Sequence, residues 1–168
     1  MEPATSICHI PGGYSVTAVT TPKDVEDTAA LFQEYAVSLG IDLAFQGFDS
    51  ELANLPGKYS PPTGCLLIGR SSNGEAIGCV GLRSLDADTS EMKRLYVSPS
   101  GRGSGLGKAL AQQAVEQARR LGYRRIRLDS LRSMKGARAL YAKLGFLEIE
   151  PYYNNPEEGA CFLELVLR

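Results

Sequence analysis

Residues 14–19 (YSVTAV) alternate polar and apolar and are rich in β-formers, which predicts a strand. Thr21-Pro22 follows, with proline suited to the first position of a helix. Leu31, Phe32 and Tyr35 then recur at helical spacing until Gly40. Over 41–62 the pattern weakens to a short helical piece around DSELANL and a loop carrying Pro56, Gly57, Pro61 and Pro62. CLLIGR (65–70) and AIGCVGLRSL (76–85), joined by the turn SSNGE, predict a hairpin. TSEMKRLYVS (89–98) predicts another strand, ended by Pro99 and a glycine run. A helix is predicted from about Ser104 to Leu121, stopped by Gly122. The strand RRIRLDS (124–130) comes next, then a helix that Ser133 caps and Gly145 ends. FLEIEP (146–151) and CFLELVL (161–167) complete the order β, α, α, β, β, β, α, β, α, β, β. No repeat, low-complexity segment or boundary interrupts it, so residues 1–168 are expected to form one α/β domain.

Composition narrows the function. The formal charge is −1, which argues against a protein that coats nucleic acid or an anionic membrane. The four cysteines are scattered and there is one histidine, His9, so a zinc site of ordinary spacing has no support and no metal is expected. Scattered cysteines suit free thiols in a reducing compartment. MEPATSICHIPGG lacks the basic start and apolar run of a signal peptide, and no stretch approaches a membrane span. A cytoplasmic protein is expected. The charge is nevertheless uneven: 13 of the 18 basic residues lie between Lys93 and Lys143, opposed there only by Glu116 and Asp129. Either these are solvated helix faces, or part of this half holds a polyanion.

The second alternative draws attention to SPSGRGSGLGKAL (98–110), with glycine at 101, 103, 105 and 107. Such density is costly in backbone entropy, so a requirement must lie behind it. The loop G-x-x-x-x-G-K-[ST] fails at Arg102 and Ala109, and the dinucleotide fingerprint G-x-G-x-x-G fails at Leu106 and Lys108. The elbow G-x-S-x-G fails at Arg102, and one histidine gives a serine triad little support. The pattern that does match is [RQ]-x-x-G-x-[GA], filled by Arg102, Gly105 and Gly107. Glycines there let the amides of residues 102–108 turn inward around a pyrophosphate, and the following helix adds its own N-terminal amides.

RLYVSPSGRGSGLGKAL together with the later ARALYAKLGF resembles the GNAT superfamily of acyl-CoA N-acyltransferases, closely over 89–150 and by element order elsewhere. The resemblance implies an α/β (α+β) fold: a mixed, mostly antiparallel sheet of six to seven strands, about four helices, and strands four and five splayed to admit coenzyme A. It implies acetyl transfer from acetyl-CoA to a primary amine. Leu95 and Val97 would offer backbone groups to the pantetheine arm, with Val97 N–H facing the thioester oxygen, and Tyr96 on the opposite face. Arg102, Gly103, Ser104, Gly105, Leu106, Gly107 and Lys108 would hold the pyrophosphate. Tyr141 matches the family's general acid for the thiolate and would also touch the cofactor; the alternative is a core aromatic beside Leu140 and Leu144. Glu91 stands six residues before Val97, an even separation that places both on one strand face, as either a general base or an exposed charge. The family's cofactor-binding asparagine is replaced by Met134, so Ser130 and Ser133 are the hydroxyls available instead.

The acceptor side implied by the resemblance spans roughly 31–60 and 151–160. Glu34, Tyr35, Tyr59, Tyr152, Tyr153 and Asn154 are its candidates, with Glu158 beside them. PYYNNPEEG can equally be turn chemistry and packing. A homodimer is common in the family but has no independent sign here. Three readings follow: an acetyltransferase, a non-catalytic acyl-CoA sensor on the same fold, and, last, a nucleic-acid binder using the basic half.

Overall fold

Thr21 begins the first helix, α1 (Pro22–Leu39). Its hydroxyl accepts from Asp24 N–H at 3.1 Å, while the Asp24 carboxylate accepts from Thr21 N–H at 3.2 Å. Gly40 closes the helix in the left-handed region. The computed structural model describes residues 7–168; the start of the stretch read for a leader, 1–6, lies outside them. The remaining elements are β1 (Cys8–Ile10), β2 (Tyr14–Ala18), a 3₁₀ turn (Ala44–Gln46), α2 (Phe48–Ala53), a second 3₁₀ turn (Gly57–Tyr59), β3 (Cys65–Arg70), β4 (Ala76–Ser84), β5 (Thr89–Val97), a third 3₁₀ turn (Pro99–Gly101), α3 (Leu106–Arg120), β6 (Arg125–Leu131), α4 (Lys135–Leu144), β7 (Leu147–Ile149) and β8 (Ala160–Val166).

The described strands form one eight-stranded sheet in the order β1-β2-β3-β4-β5-β6-β8-β7. All pairings are antiparallel except β5 with β6. The strand beyond the six or seven expected is β1, three residues long and too short for alternation to register. Ser133 does not cap α4: Met134 occupies the N-cap position, with no side-chain hydrogen bond. Among the described residues no helix is long and apolar enough to cross a membrane.

Three features position the site. The first is the parallel pairing of β5 and β6, which covers only Thr89–Glu91 against Arg125–Arg127; beyond it the strands part. The second is the close approach of α3. Leu106 and Leu110 rest on Gly69 and Gly78, where an added Cβ would lie 2.9 Å from a leucine methyl, so these glycines let the N-terminus of α3 settle against the sheet. The third is a bulge in β5. Gly81 pairs with Lys93 and Cys79 with Tyr96, so Arg94 is the extra residue, at φ 61°.

The bulge overturns one expectation. Glu91 and Val97 do not share a face, because the additional residue reverses the alternation between them. Val97 packs toward α3, in the core that contains Leu106 and Leu110. Glu91 stands opposite Arg83 on the other face, as does Tyr96, which packs toward α1 and α2.

Candidate active site

Where β5 and β6 part, a groove of about 460 Å³ runs along Leu95, Tyr96 and Val97 to the glycine loop, with Met134, Ala137 and Leu140 opposite. Gly103 and Gly105 have φ of 77° and 89°, and a side chain at either would project into open space at the groove. Gly105 is also the N-cap of α3, and the first helical bond runs from Ala109 N–H to Gly105 C=O. The amides of Gly107 and Lys108 therefore have no helical acceptor, as a phosphate cradle requires. Arg102 Nε donates to Val97 C=O at 3.2 Å, which holds the guanidinium over the junction of strand and loop. Ser104 is tied into the loop, its hydroxyl donating to Gly101 C=O and accepting from Leu106 N–H. Leu106 sends its side chain into the core, and exposed Lys108 does not line the groove. Residues 102–107 thus fit a bound pyrophosphate mainly through backbone.

The groove continues into a narrow cavity of about 40 Å³; Tyr35, Leu95 and Met134 line both. Lys93, Arg94, Asp129, Ser130, Tyr141 and Asn155 supply its polar wall. Tyr141 is brought there by α4, its ring tilted against Phe146 at 5.7 Å. Burial, with Tyr35 and Asp129 adding to it, raises its phenol above the ordinary tyrosine value, so it keeps its proton at neutral pH and is a donor.

Two carboxylates sit near this cavity in different settings. Glu91 is 1 % exposed and does not line the cavity. It accepts from Arg83 Nε at 2.8 Å and from the Tyr152 hydroxyl at 2.6 Å. Asp129 does line the cavity, accepting from the Tyr153 hydroxyl and from Asn155 Nδ2 at 3.0 Å. Lys93 stands between them, Nζ 3.8 Å from Glu91 Oε1 and 3.9 Å from Asp129 Oδ1, outside hydrogen-bond range of both. Its burial lowers the ammonium's pKa, a shift that the two carboxylates oppose.

Arg94 anchors the roof. Its bulged position aims the guanidinium at the segment after α1, where Nε donates to Glu51 Oε2 at 2.9 Å and Nη1 to Gln46 Oε1 at 2.6 Å. It also lies over the Phe48 ring at 5.2 Å. Gln46 Nε2 in turn donates to the Tyr153 hydroxyl at 3.2 Å, so the roof from 44–51 meets the loop from 151–159 above the cavity. Arg94→Met is expected to leave Glu51 without its partner and cost about 3–5 kcal/mol in chemical denaturation.

Several residues singled out from the sequence lie elsewhere. Glu34 is on the exposed side of α1, accepting from the Ser98 hydroxyl at 2.9 Å. Tyr59 is buried edge-on to Phe32 and borders a separate hollow beneath α2. Asn154 is exposed; its neighbour Asn155 reaches the cavity, because the loop turns between them. Ser133 is exposed and lines neither space, whereas Ser130 and Met134 do. Lys93, Arg94, Asp129 and Asn155 were not singled out for the site. One signal was available: Asp129 is one of only two acidic residues in the basic half of the chain.

The comparisons with known proteins agree with this geometry. The model of the acetyltransferase (GNAT) family matches residues 29–146. An uncharacterised N-acetyltransferase of Schizosaccharomyces pombe is 41% identical over 156 residues, covering 92% of this chain and 96% of the relative. A GNAT-family acetyltransferase of Staphylococcus aureus superposes with a TM-score of 0.76 at 19% identity, over 92% of this chain and 99% of that one. The yncA acetyltransferase of Salmonella typhimurium, solved with acetyl-CoA, gives a TM-score of 0.66 at 20% identity, over 93% and 95% of the two chains. A sheet opened at β5 and β6, a glycine cradle at the head of α3 and a family match across both are what place this chain in the GNAT family of acetyltransferases.

Proposed function

We propose that this acetyltransferase moves an acetyl group from acetyl-CoA directly to a primary amine of a small molecule or peptide, with both bound together. The observation that carries the reading is that the Tyr141 phenol and the Asp129 carboxylate line one cavity at the end of the groove. The thioester supplies an already activated acetyl carbon, so three tasks are left to the protein: placing the amine, removing its proton and protonating the sulfur. The loop 102–108 and the free edge of β5 hold the donor, with backbone groups of Leu95 and Val97 along the arm. Asp129, oriented by Tyr153 and Asn155, accepts the proton of the amine. Tyr141 gives its proton to the sulfur as the carbon–sulfur bond breaks. Glu91, enclosed by Arg83 and Tyr152, lies outside the cavity and does not meet the acceptor. The free thiols are in keeping with a reducing, cytoplasmic setting.

Acetyl-CoA is expected to raise the Tm, and thiol release is expected to depend on an added amine. Absence of a Tm shift at millimolar acetyl-CoA overturns the reading. Asp129→Asn is expected to lower kcat by about 10²-fold or more while the Tm shift persists. An unchanged kcat returns the base role to another group.

A further inference from the structure

The acceptor cavity has an unusual charge arrangement. Two ion pairs beside it are closed: Arg94 with Glu51 at 2.9 Å, and Arg83 with Glu91 at 2.8 Å. Lys93 stands 3.8 Å from Glu91 and 3.9 Å from Asp129, hydrogen-bonded to neither. Lys93 and Asp129 line the cavity. Lys93 is 6 % exposed, and its nearest carboxylates are beyond hydrogen-bond distance. A buried ammonium held this loosely is costly to keep unless something further pairs with it.

The charge balance around Lys93 selects that partner. Among the charged groups in and beside the cavity, the three cations Arg83, Lys93 and Arg94 balance the three anions Glu51, Glu91 and Asp129, so their sum is zero. A plain ammonium entering beside Asp129 would leave one buried positive charge uncompensated. A polyamine would leave more. An acceptor that carries its own carboxylate keeps the sum at zero. It also keeps Lys93 compensated after Asp129 has taken the amine proton and become neutral, which a plain amine cannot do. The nitrogen–oxygen separation of 3.9 Å further suits one compact molecule whose opposite charges are adjacent.

We infer that the acceptor is an amino-acid-like zwitterion, its carboxylate received by Lys93 Nζ and its amine by Asp129. The inference rests on the acetyl-transfer reading and adds the class of acceptor to it. Lys93 thereby becomes a specificity residue on β5, and the basic half of the chain serves two anions: the pyrophosphate at the loop and the acceptor carboxylate in the cavity.

The test is a matched series on the wild-type protein. Thiol release from acetyl-CoA is followed with free L-amino acids, their α-amides and the corresponding decarboxylated amines. The free acids are expected to exceed both analogues in kcat/KM by about 10- to 100-fold, the worth of a hydrogen bond to a buried charge. Lys93→Met, close to lysine in length, is expected to bring the ratio of acid to amide toward one. Amides or decarboxylated amines that match or exceed the acids overturn the inference and leave acetyl transfer standing. So does a ratio unmoved by Lys93→Met. Should that variant fail to fold, the wild-type series decides alone. No transfer to any amine, with no Tm shift on acetyl-CoA, overturns the acetyl-transfer reading and this inference with it.

Discussion

Gly105→Glu is expected to abolish the rise in Tm that acetyl-CoA causes. Two effects act together at this residue. The backbone there has φ 89° at the N-cap of α3, a conformation that costs an L-residue about 1–2 kcal/mol. A new carboxylate would also stand at the positive end of α3, where it takes the free amides that the pyrophosphate needs. Hydrogen bonds to a charged group are worth roughly 1.5–3 kcal/mol each. Loss of two therefore lowers affinity by roughly 10²- to 10⁴-fold, beyond what saturating donor restores. A ligand present at 100 times its Kd stabilises by about 2.7 kcal/mol, so its disappearance is easily seen. The strain alone lowers the Tm of the free protein by a few degrees, which separates it from the loss of binding. A variant that still shows the full shift would remove the loop from the donor site.

Tyr141→Phe is expected to lower kcat by roughly 10²- to 10⁴-fold, the range of a positioned general acid. The ring stays packed on Phe146, so Tm and the acetyl-CoA shift should be nearly those of the wild type. The pH profile offers a second check. Because burial raises the phenol above its ordinary value of 10.0, the protonated, donating form survives to higher pH than a free tyrosine would allow. Wild-type activity should therefore show no fall from ionisation of this residue as pH rises to that value. An undiminished kcat in the variant makes Tyr141 a packing residue, and the proton must reach sulfur by another route.

The glycine loop of the candidate site was legible because it is written in consecutive residues. Arg102-x-x-Gly105-x-Gly107 is a local pattern: positive φ, bare amides and a helix start all follow from neighbours in the chain. The same holds for Tyr141, placed by its own helix and the glycine that ends it. The narrow cavity of the candidate site was much less legible. Asp129, Lys93, Gln46 and Asn155 come from β6, β5, the turn before α2 and the loop before β8, and nothing local brings them together. Tyr59 and Glu34 have the residue types of an acceptor site, yet packing sent one inward and left the other exposed, hydrogen-bonded to Ser98 just after β5.

The misplacement of Glu91 has the most specific cause. Counting residues from Glu91 to Val97 presumes an unbroken alternation, and Arg94 inserts one residue more. A bulge leaves little trace in a sequence when its residue is an arginine rather than glycine, because a charged β-strand residue looks the same with either sign of φ. By itself, then, the sequence determined the order of elements, the family resemblance and the backbone cradle, each governed by short-range sterics and periodicity. Only the tertiary structure decided which carboxylate meets the cavity and which lysine stands beside it, beyond hydrogen-bond range of either carboxylate. Those depend on a one-residue slip between β4 and β5 and on the point where β5 leaves β6.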